Sequence, residues 1–169
     1  KATSQTPFAD NLVANNLAKT QNFGQMEGFP IKVYLNGAFQ GLYTFNTKKD
    51  EVTFGMDKDV KGEEAITCEK SFSTFRDLSL KLDGTNYATV VNDTADPDLV
   101  INFQKFQEFL NQSSDTDFKA NIGKYIDVKA AINCYLYGNL SHMYDFDNKS
   151  LILLTYNNGL YFYPILYDY

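Results

Sequence analysis

Acidic side chains near the C-terminus have a spacing that could support phosphoryl transfer. The loop Asp145-Phe-Asp-Asn-Lys-Ser150 carries carboxylates, and Asp168 follows further along the chain. A hairpin is predicted between them, with strands at residues 151–156 and 160–163 and a turn at Asn157-Asn158-Gly159. Because a hairpin folds the chain back, we expect Asp145 and Asp168 to face one cavity. Phosphoryl-transfer enzymes use this order of a base, a polar residue, a hairpin and a second acid around a metal-bound nucleotide.

The same residues also have simpler interpretations. Asp145 and Asp147 could form a solvated turn between a helix and a strand, and Asp168 could be an ordinary surface acid. Lys48 and Lys49 follow a predicted strand and could contact phosphate or form a solvated face. Tyrosines cluster near the C-terminus, where they could pack on the hairpin or stack on sugars or adenine: Tyr156, Tyr161, Tyr163, Tyr167 and Tyr169.

Composition limits the classes of protein that fit this chain. Its 169 residues suffice for one domain with a real core, and 44% hydrophobic residues indicate a globular protein. The net charge of -6 argues against non-specific nucleic-acid binding. No apolar run approaches the length of a membrane-spanning helix. Cys68 and Cys134 lie far apart, which favours two buried free thiols over a disulfide and makes a zinc site unpromising.

The hydrophobic pattern predicts an α+β fold in which antiparallel hairpins precede a layer of helices. Strands are predicted at residues 31–35, 39–45, 65–69 and 78–82, the first two joined by a tight turn at Asn36-Gly37. A short helix is predicted over residues 8–20, and a second begins at Asp98 as its N-cap, followed by another around residues 118–125. Asp127 is the predicted cap of the last helix, whose inward residues would be Val128, Ala131, Ile132, Tyr135 and Leu136.

The ordered pattern resembles the CotH kinase family, atypical protein kinases of the spore-coat type. The matching segments are Tyr34-Leu-Asn-Gly37, Gly41-Leu-Tyr-Thr44, Asp127-Val-x-x-Ala131-Ile-x-x-Tyr135, the Asp145 loop and Tyr163-Pro164-x-x-x-Asp168. The resemblance covers nearly the whole chain and implies an atypical protein-kinase-like fold. Within the family, Gly28-Phe-Pro-Ile-Lys-Val-Tyr and Thr44-Phe-Asn-Thr-Lys-Lys-Asp50 look like a branch of Gram-positive bacteria and their phages.

The resemblance also implies roles for individual residues. Asp145 matches the catalytic Asp that would accept the proton of the acceptor hydroxyl, and Asp168 matches an Asp that binds the metal on ATP. The metal would be Mg or Mn, with Ser150 as a further ligand position and Asp147 or Asn148 as substitutes. Nucleotide phosphates would be contacted by Lys1, which matches an early-strand lysine. Lys48 and Lys49 are further candidates for phosphate contact, from their position after a predicted strand and not from the resemblance.

Several positions depart from the family pattern. Ser150 stands where the family usually has Asn, and Leu166 stands where it has the first Asp of a Pro-Trp-Asp-x-Asp run. Thr47 occupies the place of an acidic residue that would orient a lysine. These changes predict a degenerate kinase-like domain, a pseudokinase serving as a structural or interaction module. An active kinase that phosphorylates protein Ser or Thr and a glycan-binding module are the alternatives.

The setting that the resemblance implies is an assembly outside the cell. We expect protein partners, no nucleic acid and no membrane span, with oligomer formation left open. The expected location is extracellular or in a virion, within a phage tail or baseplate, and the alternative is a bacterial cell surface or spore coat. Lys1 follows no Met. Residues 1–169 are therefore predicted to form one CotH-kinase-like domain truncated at both ends.

Overall fold

The computed structural model describes residues 28–68, 75–140, 146 and 150–167. The predicted helix over residues 8–20 lies outside these ranges. The strands are β1 (Gly28–Leu35), β2 (Ala38–Asn46), β3 (Glu64–Cys68), β4 (Tyr87–Thr89), β5 (Leu151–Thr155) and β6 (Tyr163–Leu166). The helices are α1 (Glu51–Phe54), α2 (Pro97–Gln112), α3 (Asp115–Asn121) and α4 (Val128–Leu140), with a 3-10 turn at Ile122–Lys124. Antiparallel strands with a helical layer confirm the predicted α+β class.

Strands β1 and β2 form a separate two-stranded ribbon. Its turn residues Asn36 and Gly37 have φ values of 50° and 81°, the left-handed conformation that the predicted tight turn requires. Aromatic pairs lie along the ribbon: Phe29 and Phe45 stack with ring centroids 4.9 Å apart, and Tyr34 lies 5.4 Å from Phe39. These four rings are largely exposed, so the ribbon presents apolar surface to its surroundings.

The other strands form a four-stranded antiparallel sheet in the order β4-β3-β5-β6. Every residue of β3 is buried, because both faces of this strand are covered. One face packs on α2 through a cluster that includes Leu99, Phe103 and Phe106. The opposite face packs on the α1 region, where Phe54 and Met56 belong to a second cluster. The sheet is therefore the centre of the core, with β6 as an edge strand.

Helix α2 begins slightly earlier than the sequence predicts. Its N-cap is Asp96, whose carboxylate accepts a hydrogen bond from the Asp98 backbone N–H at 2.9 Å. The predicted cap at Asp98 is wrong because Pro97 takes the first helical position, where its fixed φ and missing N–H are favourable.

The predicted strand over residues 78–82 is also wrong. Only Leu82 forms a bridge, to Tyr87, although the alternating burial of this segment suits a strand. Asp77 accepts hydrogen bonds from the backbone and side chain of Ser79, and Asp83 accepts one from the Thr85 backbone. These local turns occupy the backbone groups that a sheet would use.

The hairpin near the C-terminus is present, but its second strand starts later than predicted. Strand β6 begins at Tyr163, rather than at residue 160. Asn158 and Gly159 adopt left-handed φ values of 56° and 74°, and the Phe162 N–H donates to the Tyr125 carbonyl at 2.8 Å. Phe162 therefore pairs with the segment before α4, and the N–H groups of Leu160 and Tyr161 bond to Asn157 within the turn instead of to β5.

Helix α4 starts as predicted, since the Asp127 carboxylate accepts a hydrogen bond from the Ala130 N–H at 2.9 Å. Its predicted inward face is wrong: Ile132, Tyr135 and Leu136 are 53%, 62% and 52% exposed. The face that contacts β6 carries the small residues Cys134 and Gly138, both buried. Among the described residues, no helix is long and apolar enough to cross a membrane.

Candidate functional site

One end of the β5–β6 pair carries Ser150, a sequence-predicted site residue that the structure describes. Ser150 immediately precedes β5 and is buried, and its carbonyl accepts a hydrogen bond from the Tyr167 N–H at 2.7 Å. Asp168 is the next residue in the chain after Tyr167. Asp145, Asp147, Asp168 and Lys1 themselves lie outside the described residues, so their roles remain predictions. Ser150 and Tyr167 mark the edge of the sheet to which the metal-site prediction refers.

Lys49 reaches this edge from the end of the β1–β2 ribbon. Its ammonium lies 4.6 Å from the centroid of the Tyr167 ring, a cation–π geometry. The neighbouring Lys48 is exposed, and its carbonyl accepts a hydrogen bond from the Thr53 hydroxyl at 2.7 Å. Of the two candidate phosphate contacts, the structure brings Lys49 to the site edge, whereas Lys48 faces solvent.

The turn after these lysines is fixed by a capped one-turn helix. Asp50 is the N-cap of α1, and its carboxylate accepts a hydrogen bond from the Thr53 N–H at 3.0 Å. This backbone hydrogen bond lowers the pKa of Asp50. Gly55 ends the helix in the left-handed conformation at φ 63°. Lys49 therefore lies between the end of β2 and the N-cap residue of α1, Asp50, which fixes its backbone.

Leu166 is a core residue of β6. It pairs with Leu151 across the strands and is 4% exposed. Since residues alternate along a strand, Leu166 shares the sheet face of Pro164, whose carbonyl lies 3.5 Å from the Cys134 sulfur of α4. An apolar side chain packed on this face supplies no oxygen to a metal.

An aromatic contact anchors the acidic loop on α4. A Cβ built on Gly138 would lie 2.5 Å from Cδ2 and 2.7 Å from Cβ of Phe146, so the ring occupies the space that only glycine leaves open. The Phe146 ring also lies 6.0 Å from the Tyr135 ring, at 66°. Phe146 follows Asp145 directly in the sequence, and its own contact with α4 is the part of this stretch that the structure describes.

Sequence reasoning missed this anchor, although a signal was present. An isolated glycine inside a helical pattern often marks a close approach of another group. Around the contact lies an apolar cavity of about 180 Å³, lined by Ile126, Ala131, Cys134, Tyr135, Phe146, Leu151 and Pro164. Burial raises the pKa of the Cys134 thiol to about 12, so this thiol is a packed, protonated group. Cys68 and Cys134 are both buried and form no disulfide, as predicted.

Glu64 is a second buried group that the sequence did not single out. It is 4% exposed, and its carboxylate is fully occupied. The donors are the backbone N–H groups of Ala65, Val90, Val91 and Asn92 and the side-chain amide of Asn92, at 2.7–3.2 Å. Because these donors all belong to the protein, Glu64 holds the segment after β4 against β3 and is not available to a ligand.

The described residues contain no group of three or more His, Cys, Asp or Glu side chains that could hold a metal ion. The acids predicted for that purpose lie outside these residues. The described residues supply two groups at this end of the sheet: Ser150, which is buried, and the Lys49 ammonium. Both residues contact Tyr167, Ser150 through its backbone carbonyl and Lys49 through the Tyr167 ring. This arrangement can position an anionic group near Lys49, and Ser150 has one oxygen to offer.

Comparison with known proteins places the chain in a family. A family model described as CotH kinase protein matches residues 9–169, which is nearly the whole sequence. The chain therefore belongs to the CotH kinase family, as its motifs indicate. No curated protein matches the chain.

Proposed function

We propose that this domain is a degenerate CotH kinase that serves as a structural or interaction module. The observation that carries the proposal is the burial of Leu166, at the position where the family resemblance implies the first metal-binding Asp. A leucine packed against Leu151 and the α4 side of the sheet has been incorporated into the core. A metal bound to ATP would lack the carboxylate ligand from this position, because the side chain there is apolar and packed in the core.

Two further positions support the same conclusion. Ser150 replaces the family's Asn and is buried at the start of β5, where its single hydroxyl is a weaker metal ligand than an amide oxygen. Thr47 replaces an acidic residue that would orient a lysine. Together with Leu166, these changes remove oxygen ligands and charge from the part of the site that binds the nucleotide metal.

Transfer of radiolabel from [γ-³²P]ATP tests this proposal. The protein would be incubated with Mg or Mn, alone and with a generic protein substrate, beside an active kinase as a positive control. We expect no label above that of Asp168→Asn, because the metal site is incomplete. Label that depends on metal and disappears in Asp168→Asn would refute the proposal.

An active protein kinase is the second candidate, and one observation favours it. Lys49 and Ser150 both contact Tyr167, Lys49 through the ring and Ser150 through its backbone carbonyl, although they come from distant parts of the chain. If ATP binds there, Lys49→Met should weaken its binding, whereas Lys48→Met should not, because Lys48 is exposed and Lys49 contacts Tyr167. Equal effects of the two substitutions would count against this site.

Exposed apolar side chains support the module interpretation. They lie on the ribbon at Phe29, Tyr34 and Phe39 and on α4 at Tyr135 and Leu136. Large apolar groups exposed together often mark protein contacts. We propose protein partners in an extracellular or virion assembly, such as a phage tail or baseplate, with a bacterial surface or spore coat as the alternative. Light scattering of the full-length protein, with and without cross-linking, would test whether it assembles.

A further inference from the structure

Three tyrosines form a surface patch at the turn end of the β5–β6 pair. The ring centroid of Tyr163 lies 5.8 Å from that of Tyr156 and 5.1 Å from that of Tyr161, at interplanar angles of 68° and 65°. Tyr156 and Tyr163 remain 43% and 41% exposed. We call Tyr156, Tyr161 and Tyr163 the tyrosine patch. It offers aromatic surface to solvent in a fixed mutual arrangement.

The patch is held in place by polar contacts. The Tyr156 hydroxyl donates to the Phe54 carbonyl at 3.0 Å, and the Tyr161 N–H donates to the Asn157 side-chain oxygen at 3.0 Å. The first bond orients the Tyr156 ring, and the second fixes the backbone at Tyr161. A preorganised aromatic surface loses little side-chain entropy when a ligand stacks on it.

A polar cleft of about 300 Å³ lies beside the patch. Its lining includes Lys61, Glu63, Thr94, Asp96 and Asn158. The two features adjoin along the chain: Asn158 lines the cleft and lies two residues after Tyr156, and the side chain of Asn157 between them accepts the Tyr161 N–H. The negative charge of Glu63, which also lines the cleft, adds to the effect of burial in raising the pKa of Tyr156. The cleft and the tyrosine patch are thus neighbours.

Asn158 supplies a hydrogen-bonding group without a partner. Its side-chain oxygen is buried and accepts no hydrogen bond from the part of the chain that the structure describes. The backbone of the same residue is fixed, since its N–H donates to the Gly62 carbonyl at 3.0 Å and its carbonyl accepts from the Asn102 amide at 2.9 Å. Because this oxygen is buried, a donor from a bound molecule reaches it only when the Asn158 side chain turns toward the cleft that it lines.

Charge selects the class of ligand. Lys61 is the cation between Asp96 and Asp98, with its ammonium 3.4 Å from each carboxylate. These carboxylates raise the pKa of Lys61 and neutralise its attraction for anions. With Glu63 also present, the cleft repels a phosphate or carboxylate and instead offers acceptors for hydroxyl groups.

We propose that the tyrosine patch and this cleft together bind a neutral oligosaccharide. The C–H face of a sugar ring would stack on Tyr163, and hydroxyls would donate to Glu63 and, once its side chain turns toward the cleft, to Asn158. This site lies at the opposite end of the β5–β6 pair from Ser150 and Tyr167. At roughly 3.3 Å per strand residue, the two ends are about 15 Å apart. The inference does not depend on the state of the nucleotide site.

Saturation-transfer NMR on the full-length protein tests the proposal. The probes are cellotetraose, maltotetraose and chitotetraose, each at about 5 mM, because single sugar sites often bind at about millimolar Kd. We expect saturation transfer to at least one probe, with Kd weakened roughly tenfold in Tyr163→Ala. Tyr163→Phe keeps the stacking surface and should bind like the parent. Leu140→Ala is the control, a largely exposed apolar residue at the end of α4 and outside the patch.

A second variant tests the cleft without strain. Asn158→Gly removes the side-chain amide, and glycine accepts the left-handed φ of 56° at this position. We expect weaker binding with an unchanged circular dichroism spectrum. Saturation transfer to none of the three probes would overturn the proposal. So would binding to Tyr163→Ala or to Asn158→Gly that equals binding to the parent.

Discussion

Replacing Gly138 with alanine tests the anchor between α4 and the acidic loop. In an ordinary helix, this change stabilises the protein by about 1 kcal/mol, because alanine loses less backbone entropy. Here the new Cβ would lie 2.5 Å from Cδ2 and 2.7 Å from Cβ of Phe146, which is closer than such atoms approach. The ring or the helix must move.

The magnitude follows from two opposing effects. Overpacking of a filled site costs about 1–3 kcal/mol, and the gain in helix propensity offsets about 1 kcal/mol of it. We therefore expect Gly138→Ala to lower the free energy of unfolding by about 1 kcal/mol. For a domain of this size, Tm would fall by roughly 2–4 °C, measured by circular dichroism during heating.

A double-mutant cycle isolates the contact. In a Phe146→Ala background, the obstacle is gone, so Gly138→Ala should raise Tm instead of lowering it. Gly123→Ala is the control, since its Cβ would lie 3.9 Å from the nearest Val128 carbon, an ordinary contact distance. A higher Tm for Gly138→Ala in the parent, or the same shift in both backgrounds, would refute the anchor.

Two further substitutions test buried groups. Glu64→Gln should cost about 2–3 kcal/mol in urea unfolding, because its new amide N–H₂ faces N–H donors that now bind the carboxylate; unchanged stability would contradict this role. Burial raises the pKa of Cys134 to about 12 from its usual 9.0. Above pH 9 the unfolded thiol ionises while the folded one stays protonated, so its contribution to stability falls by about 1.4 kcal/mol per pH unit as pH rises. Cys134→Ala should show a shallower fall, and equal slopes would exclude the effect.

Local signals in the sequence predicted the elements whose structure depends on neighbouring residues. Asn36-Gly37 specifies its turn because both residues accept positive φ, and Asp127 caps α4 because its carboxylate accepts a backbone hydrogen bond. The alternating segment at residues 78–82 predicts a strand, but no strand forms there because Asp77 and Asp83 form local turns. Periodicity describes the side chains but does not show which backbone groups find partners.

Long-range contacts were beyond the reach of sequence patterns. The apolar stripe of α4 predicted an inward face, but the helix contacts β6 through Cys134 and Gly138 and leaves Ile132 exposed. The Lys49–Tyr167 contact joins segments that are distant in sequence, and no local pattern indicates it. The family resemblance identifies Ser150 and Leu166 as departures. The structure adds that Leu166, whose side chain has no atom that could bind a metal, is buried in β6.

Calorimetric titration of ATP into the full-length protein, with and without Mg or Mn, tests the central claim most directly. After subtraction of the heat of ATP titrated into the same metal-containing buffer, the account predicts no metal-dependent binding at millimolar ATP, because the Leu166 position contributes a packed apolar side chain instead of a metal ligand. Metal-dependent binding with a micromolar Kd that is lost in Asp168→Asn would contradict the claim and identify the domain as a working kinase site.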